Sequence, residues 1–255
     1  MTKTLIKGGT IISMDRKTGD FAKGDVLVNG TDIEKIGKSI RSPGATAIDA
    51  SGMIVMPGFV NAHIHTWQTG IRGIAGNWSI PEYLGAMHAQ MAPRYTANDT
   101  YLGNLVGALN QINLGATTIF DWCHNNATPA HSDAAIDGLR ESGIRALFGH
   151  GSPKPDAKKG QTPFTHIPHP RSELVRLRNG ALSDDDGLII LAMAALGFDF
   201  SIWDVVEHDF RLAKELGLII STHVWGAPSR LNPDGYKKLA KLKLLDQRHN
   251  LVHGN

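Results

Sequence analysis

His63 and His65 close a short apolar run, Met56-Pro-Gly-Phe-Val-Asn-Ala-His-Ile-His65, with a single residue between them. Neutral imidazole is a common metal ligand, and side chains two apart on a strand share a face. The pair can therefore offer two nitrogens to one ion. The apolar residues before it read as a buried strand, and Pro57-Gly58 marks a break just ahead. Alone, the motif carries little weight. With 12 histidines in 255 residues, chance supplies roughly half of such a pair per chain. His166 and His169, for instance, stand close together in Pro-rich sequence and read as a solvated loop.

What raises the pair above chance is the company it keeps. Gly58–His63, Thr117–Cys123, Arg145–Gly149, Leu188–Leu196, Leu218–Val224 and Asn250–His253 read as six apolar strands. Polar residues collect where they end: Asp121 and His124 at the second, His150 at the third, His223 at the fifth and His253 at the sixth. Helical patterns fall between them, over Ile80–Met91, Asn98–Leu114, Ser132–Ser142, Arg171–Arg178, Ile202–Leu216 and Pro233–Leu245. Near-continuous apolar strands alternating with amphipathic helices mean parallel β/α units. Six units suit either a doubly wound sheet or a (β/α)₈ barrel with two units missing. The histidines favour the barrel, because its strand ends converge on one mouth whereas an open sheet spreads them along an edge. No Gly-x-Gly-x-x-Gly follows the first strand, so dinucleotide binding has no support.

The expected fold class is thus α/β, an incomplete TIM-type barrel of about six β/α units over residues 57–255. Residues 1–56 form a small N-terminal β domain ahead of it. Its strands read as Thr4–Lys7, Thr10–Met14, Asp25–Asn29, Asp32–Ile36 and Met53–Met56, with a hairpin turn at Val28-Asn-Gly-Thr31.

Composition narrows the function. Hydrophobic residues make up 42% and charged residues 20%, the balance of an ordinary globular protein. A formal net charge of +2 gives no nucleic-acid or membrane signature, and Lys237, Lys238, Lys241 and Lys243 read as a solvated helix face. Cys123 is the single cysteine, which excludes an internal disulfide and a Cys-rich zinc site. The N-terminus has no signal core and no run is long enough to span a bilayer. A cytoplasmic enzyme with a small-molecule substrate is expected; a homo-oligomer is left open.

With these motifs in order, each at a strand end, the sequence resembles the amidohydrolase superfamily. The branch it is most similar to contains cytosine deaminase, S-adenosylhomocysteine deaminase and the triazine hydrolases. The resemblance rests on Pro57-Gly-Phe-Val-Asn-Ala-His-Ile-His65, Arg72-Gly73, Ser221-Thr-His-Val224 and Leu251-Val-His-Gly254. It implies a (β/α)₈ barrel with a β-sandwich built from both ends of the chain, to which residues 1–56 would contribute the N-terminal part. It further implies that His63, His65 and His223 bind one divalent metal ion, zinc first and iron as the second choice. His253 would hydrogen-bond the attacking water or the substrate. The family's aspartate after the eighth strand has no counterpart, so the chain looks like the N-terminal part only.

Two departures separate subtypes. Binuclear members carry a bridging lysine or glutamate on the fourth strand; Leu188–Leu196 has neither, which implies a single metal. The deaminases usually place a proton-shuttling glutamate three residues after the fifth-strand histidine, where this chain has Gly226. The expected function is a metal-dependent hydrolase attacking a C–N bond of a cyclic or aromatic amine or amide. The alternatives are a chlorohydrolase or alkylamine hydrolase on a triazine-like ring, and a truncated metal-binding remnant without turnover.

Weaker candidates surround the histidines. Trp67, Trp122 and Trp225 lie at or just beyond strand ends, where they could line a pocket for a flat ring or simply pack. His124 and His150 could touch substrate or be hydrogen-bonded loop residues. Arg72 could orient an anionic substrate or tie down the first long loop. Asp121 reads as an orienting or capping group, and Cys123 as a small core side chain.

Overall fold

The computed structural model describes residues 2–155, 157–225 and 231–254. They form two compact units, one up to Phe59 and one from Val60 onward.

The first unit is a five-stranded sheet of β1 (Lys3–Ile11), β2 (Phe21–Asn29), β3 (Asp32–Gly37), β4 (Thr46–Asp49) and β5 (Ile54–Val55), ordered β3-β2-β1-β4 with β5 also on β1. The two strands expected over Thr4–Lys7 and Thr10–Met14 are one. Gly8, at φ 75, and Gly9 lie inside it, and the register to β2 slips there, so the strand bends without breaking. The Val28-Asn-Gly-Thr31 turn closes the β2–β3 hairpin as expected, pairing Asn29 with Asp32. Leu5, Leu27 and Ile40 make the small core. Beside it the buried Asp25 carboxylate accepts the backbone N–H groups of Gly8 and Ile40.

The second unit is a six-stranded sheet in strict chain order: β6 (Phe59–Ile64), β7 (Ala116–Cys123), β8 (Arg145–His150), β9 (Ile189–Ala195), β10 (Ile219–Val224) and β11 (His249–His253). Each crossover sets the next strand beside the last, the consequence of one-handed βαβ connections. The strands from β7 onward pair in parallel. Twist accumulated over six strands curls the sheet into a nearly closed barrel. On β11 the Asn250 amide reaches the Ala62 carbonyl of β6 at 3.4 Å.

The helices pack outside. They are α1 (Ile80–Tyr83), α2 (Ala97–Asn113), α3 (Pro129–Ser142), α4 (Arg171–Asn179), α5 (Gly197–Phe200), α6 (Trp203–Glu215) and α7 (Gly235–Lys241). Their apolar faces and the outward faces of the strands share one core, with Ile119, Leu139, Phe148, Leu191 and Phe210 almost wholly buried. No helix among the described residues is long and apolar enough to cross a membrane. Lys237, Lys238, Lys241 and Lys243 are exposed.

Two helices differ from expectation. The pattern over Ile80–Met91 begins as α1, capped by Ser79 and Glu82, and widens into a π-helix over Leu84–Met91. The wider turn buries both Met87 and His88, and π-turns are frequent at functional sites. Helix α7 is shorter than Pro233–Leu245, ending where Lys243 takes a positive φ of 54.

Candidate metal centre

Strand β6 carries the first ligand candidate. The Asn61 side chain on it accepts the His63 N–H at 3.2 Å and donates to Gln111 of α2 at 2.8 Å, anchoring the strand end. His65 follows the strand and caps a 3₁₀ turn over Thr66–Ile71. His223 comes from β10, four strands away in the sheet. The barrel brings the three together, with one ring nitrogen from each lying within 4.8 Å of the others. The His63 ring stands edge-on to those of His65 and His223, at centroid distances of 4.6 and 4.8 Å.

Hydrogen bonding settles one tautomer. His65 Nδ1 lies 2.7 Å from the Trp122 carbonyl oxygen. A carbonyl only accepts, so Nδ1 carries the proton and Nε2 keeps its lone pair, the arrangement seen when imidazole ligates a metal. His63 Nδ1 is buried without a partner among the described residues. Burial drives the proton off all three rings, taking His63 down to about 4 and His65 to about 3, and His223 lower still. Neutral imidazoles at neutral pH are the form that ligation requires. The donor set therefore fits a divalent ion.

A buried carboxylate steadies the turn. Asp121, on β7, accepts the Thr66 backbone N–H at 3.1 Å and the Asn104 amide at 2.8 Å. Burial raises its pKa to about 6 against the pull of those donors. Helix α2 packs tightly on the same turn. A Cβ on Gly103 would sit 2.5 Å from the Trp67 carbonyl oxygen.

Above the histidines lies a cavity of about 470 Å³, lined in part by His88, His124, Lys154, Trp225 and His253. His124 stacks on His65 with centroids 4.4 Å apart, and its Nδ1 accepts the Trp67 indole N–H at 2.8 Å. That bond leaves the proton of neutral His124 on Nε2. His253 ends β11 at φ 71, its ring 5.6 Å from that of His63 and 5.3 Å from that of His223.

Three of the weaker candidates fall elsewhere. Trp67 is wholly buried and serves as the donor to His124, not as cavity wall. Arg72 is exposed and donates to Asn110 of α2, tying down the loop. His150 is buried and shares a 3.0 Å hydrogen bond with His169, away from the cavity. His169 is itself a correction to the solvated-loop reading, since its backbone N–H donates to Asp209 and the ring is inside. Its neighbour His166 is exposed. Gly226 lies outside the described residues.

Among the cavity residues that escaped the sequence reading are His88 and Lys154. His88 is buried against His124, with ring centroids 4.3 Å apart. It sits in a helical pattern, where no strand-end rule points to it. Lys154 follows β8 by four residues, so a search for charged as well as imidazole side chains after each strand would have found it.

No family model matches the chain. Among curated proteins, a 5'-deoxyadenosine deaminase of Methanosarcina mazei is 33% identical over 151 residues, 59% of this chain and 34% of that protein. A 5-methylthioadenosine/S-adenosylhomocysteine deaminase of Symbiobacterium thermophilum is 36% identical over 154 residues, again 59% and 34%. The matched segment thus spans about a third of the length of these relatives. Among solved structures, an atrazine chlorohydrolase variant from Arthrobacter aurescens, complexed with zinc and atraton, superposes with a TM-score of 0.80 at 20% identity, covering 98% of this chain and 60% of that one. An adenosine deaminase from Xanthomonas campestris with bound zinc gives 0.73 at 19%, covering 99% and 57%. An amidohydrolase from a Sargasso Sea sample gives 0.72 at 18%, covering 98% and 58%.

The chain shares the β/α-barrel fold of these solved structures. In a barrel of parallel strands the mouth lies at their C-terminal ends. There the present chain has His63 and His65 at the end of β6, His223 on β10 and His253 at the end of β11.

Proposed function

We propose that this chain carries the metal-binding residues of a hydrolase that cleaves a C–N bond of a cyclic or aromatic amine, with one zinc ion held by His63, His65 and His223. The observation that carries the reading is the meeting of these three neutral imidazoles at one point of the barrel mouth. A bound ion would supply Lewis-acid activation of water at neutral pH.

The chain's own residues do the rest. His65 is held in its ligating tautomer by the Trp122 carbonyl. His253, its ring beside those of His63 and His223, would hydrogen-bond substrate or water. His124, with its proton on Nε2, is a donor in the cavity wall. Trp225 and Tyr83 give the cavity apolar faces for a flat ring. Names of the curated relatives and of the zinc-bound neighbours point to the same chemistry.

A second leaving group has one observation in its favour. Gly226 stands where deaminases place a glutamate, and displacement of chloride or an alkylamine asks less of a proton shuttle. The atrazine chlorohydrolase neighbour shares the fold.

The test is metal analysis with turnover. One zinc per chain is expected, lost in His63→Ala and His223→Ala, together with ammonia release from aminopurines or aminopyrimidines or chloride release from chlorotriazines. Full zinc content in both variants would overturn the ligand set. A zinc-loaded protein inert toward all three compound classes would overturn the reaction.

A further inference from the structure

Lys154 is the one fully charged side chain lining the cavity among the described residues; no Asp or Glu joins it there. Its Nζ lies over the Trp122 ring, 5.0 Å from the centroid, and 6.0 Å from that of Phe200. Trp122 in turn packs against His223 at 4.4 Å and His65 at 5.7 Å. The ammonium therefore sits one aromatic ring away from two candidate ligands. Its charge disfavours protonation of His63, His65, His88, His124 and His223 alike.

Among the described residues Lys154 forms no ion pair and no side-chain hydrogen bond. Aromatic faces offset part of the cost of desolvating an ammonium, but not the whole of it. Burial accordingly pulls its pKa down to about 8. A half-buried cation over an aromatic face, with no opposing charge among the described residues of the cavity, is available to an anion brought from outside.

We propose that Lys154 is a specificity-determining residue that selects substrates bearing a carboxylate, so that the substrate class is a carboxylate-substituted nitrogen heterocycle. The proposal rests on the hydrolase reading for its reaction, but not for its binding test. The plainer alternative is a loop anchor, in which Lys154 does no more than pin the segment after β8 onto Trp122.

Binding of uracil-6-carboxylate and of uracil to the full chain, measured by titration calorimetry with and without zinc, separates these. The expected result is at least tenfold tighter binding of the carboxylate in both forms. That preference falls to within twofold in Lys154→Met and persists in Lys154→Arg. Removing an uncompensated cation should also raise the Tm of Lys154→Met, whereas loss of a loop anchor should lower it. A preference unchanged in Lys154→Met, or none in the starting protein, overturns the proposal. Failure to take up zinc overturns the hydrolase reading instead, and the zinc-free titration still tests Lys154.

Discussion

The Nδ1–H of His65 donates to the Trp122 carbonyl oxygen at 2.7 Å. This bond joins the end of β6 to β7 and orients a ring whose free nitrogen meets those of His63 and His223. A backbone acceptor cannot be removed by side-chain substitution, so the tautomer is set by the sheet itself.

Zinc should stabilise the fold, because an ion bound only by the folded state adds stability by mass action. At a zinc concentration about 100 times the Kd the gain is about 2.7 kcal/mol, read as a rise in Tm. His223→Ala should abolish the rise.

Asp121→Ala should lower stability by about 1–3 kcal/mol for each of the two buried donors it strands, Thr66 N–H and the Asn104 amide. Because the Thr66 bond fixes the turn next to His65, zinc affinity should fall as well, by about 10- to 100-fold. Urea denaturation and competition with a chelator measure the two effects.

Gly103→Ala tests the packing of α2 on the same turn. The new methyl would meet the Trp67 carbonyl, a backbone atom that cannot swing aside. Overpacking of this kind costs about 1–3 kcal/mol. An unchanged urea midpoint would show that the contact is looser than the structure describes.

Trp67→Phe keeps a ring but removes the donor to His124. The expected outcome is a mixed His124 tautomer in ¹⁵N NMR and a loss of about 1 kcal/mol. If Nε2 stays fully protonated, some other group holds the tautomer.

The zinc-free protein should lose stability on acidification from about pH 6.5 to 4. Burial lowers the pKa of His150 and of His169 from 6.5 to about 4. Between those values the unfolded chain binds more protons than the folded one, so stability rises with pH across the window and is complete above it. Asp121 acts in the opposite sense, since its folded pKa of about 6 lies above the ordinary 3.8. His63 and His65, lowered to about 4 and about 3, act in the same sense as His150 and His169. The histidines together outweigh the aspartate, and replacing His150 and His169 by Gln should reduce the slope without removing it. Urea midpoints at several pH values supply the measurement.

The β/α alternation was legible in the chain because apolar runs and amphipathic helices have different periods. So were His63, His65, His223 and His253, since each ends or nearly ends a strand and parallel strands deliver their ends to one side. The small sheet was read less well: Gly8 and Gly9 look like a break, yet the partner strands hold them in line as a bulge.

Local pattern could not say which histidines face the cavity. His150 ends β8 as plainly as His223 sits on β10, yet it turns to His169 behind the sheet. Trp67 and Arg72 have the spacing of site residues and spend their donors on His124 and Asn110. His88 and Lys154 reach the cavity from a helix and a loop, where no period marks them. The sequence alone determined which elements form and at which strand ends the imidazoles stand. Only the tertiary structure decided which of them meet, because a cavity is enclosed by residues far apart in the chain and its lining depends on how the barrel curls.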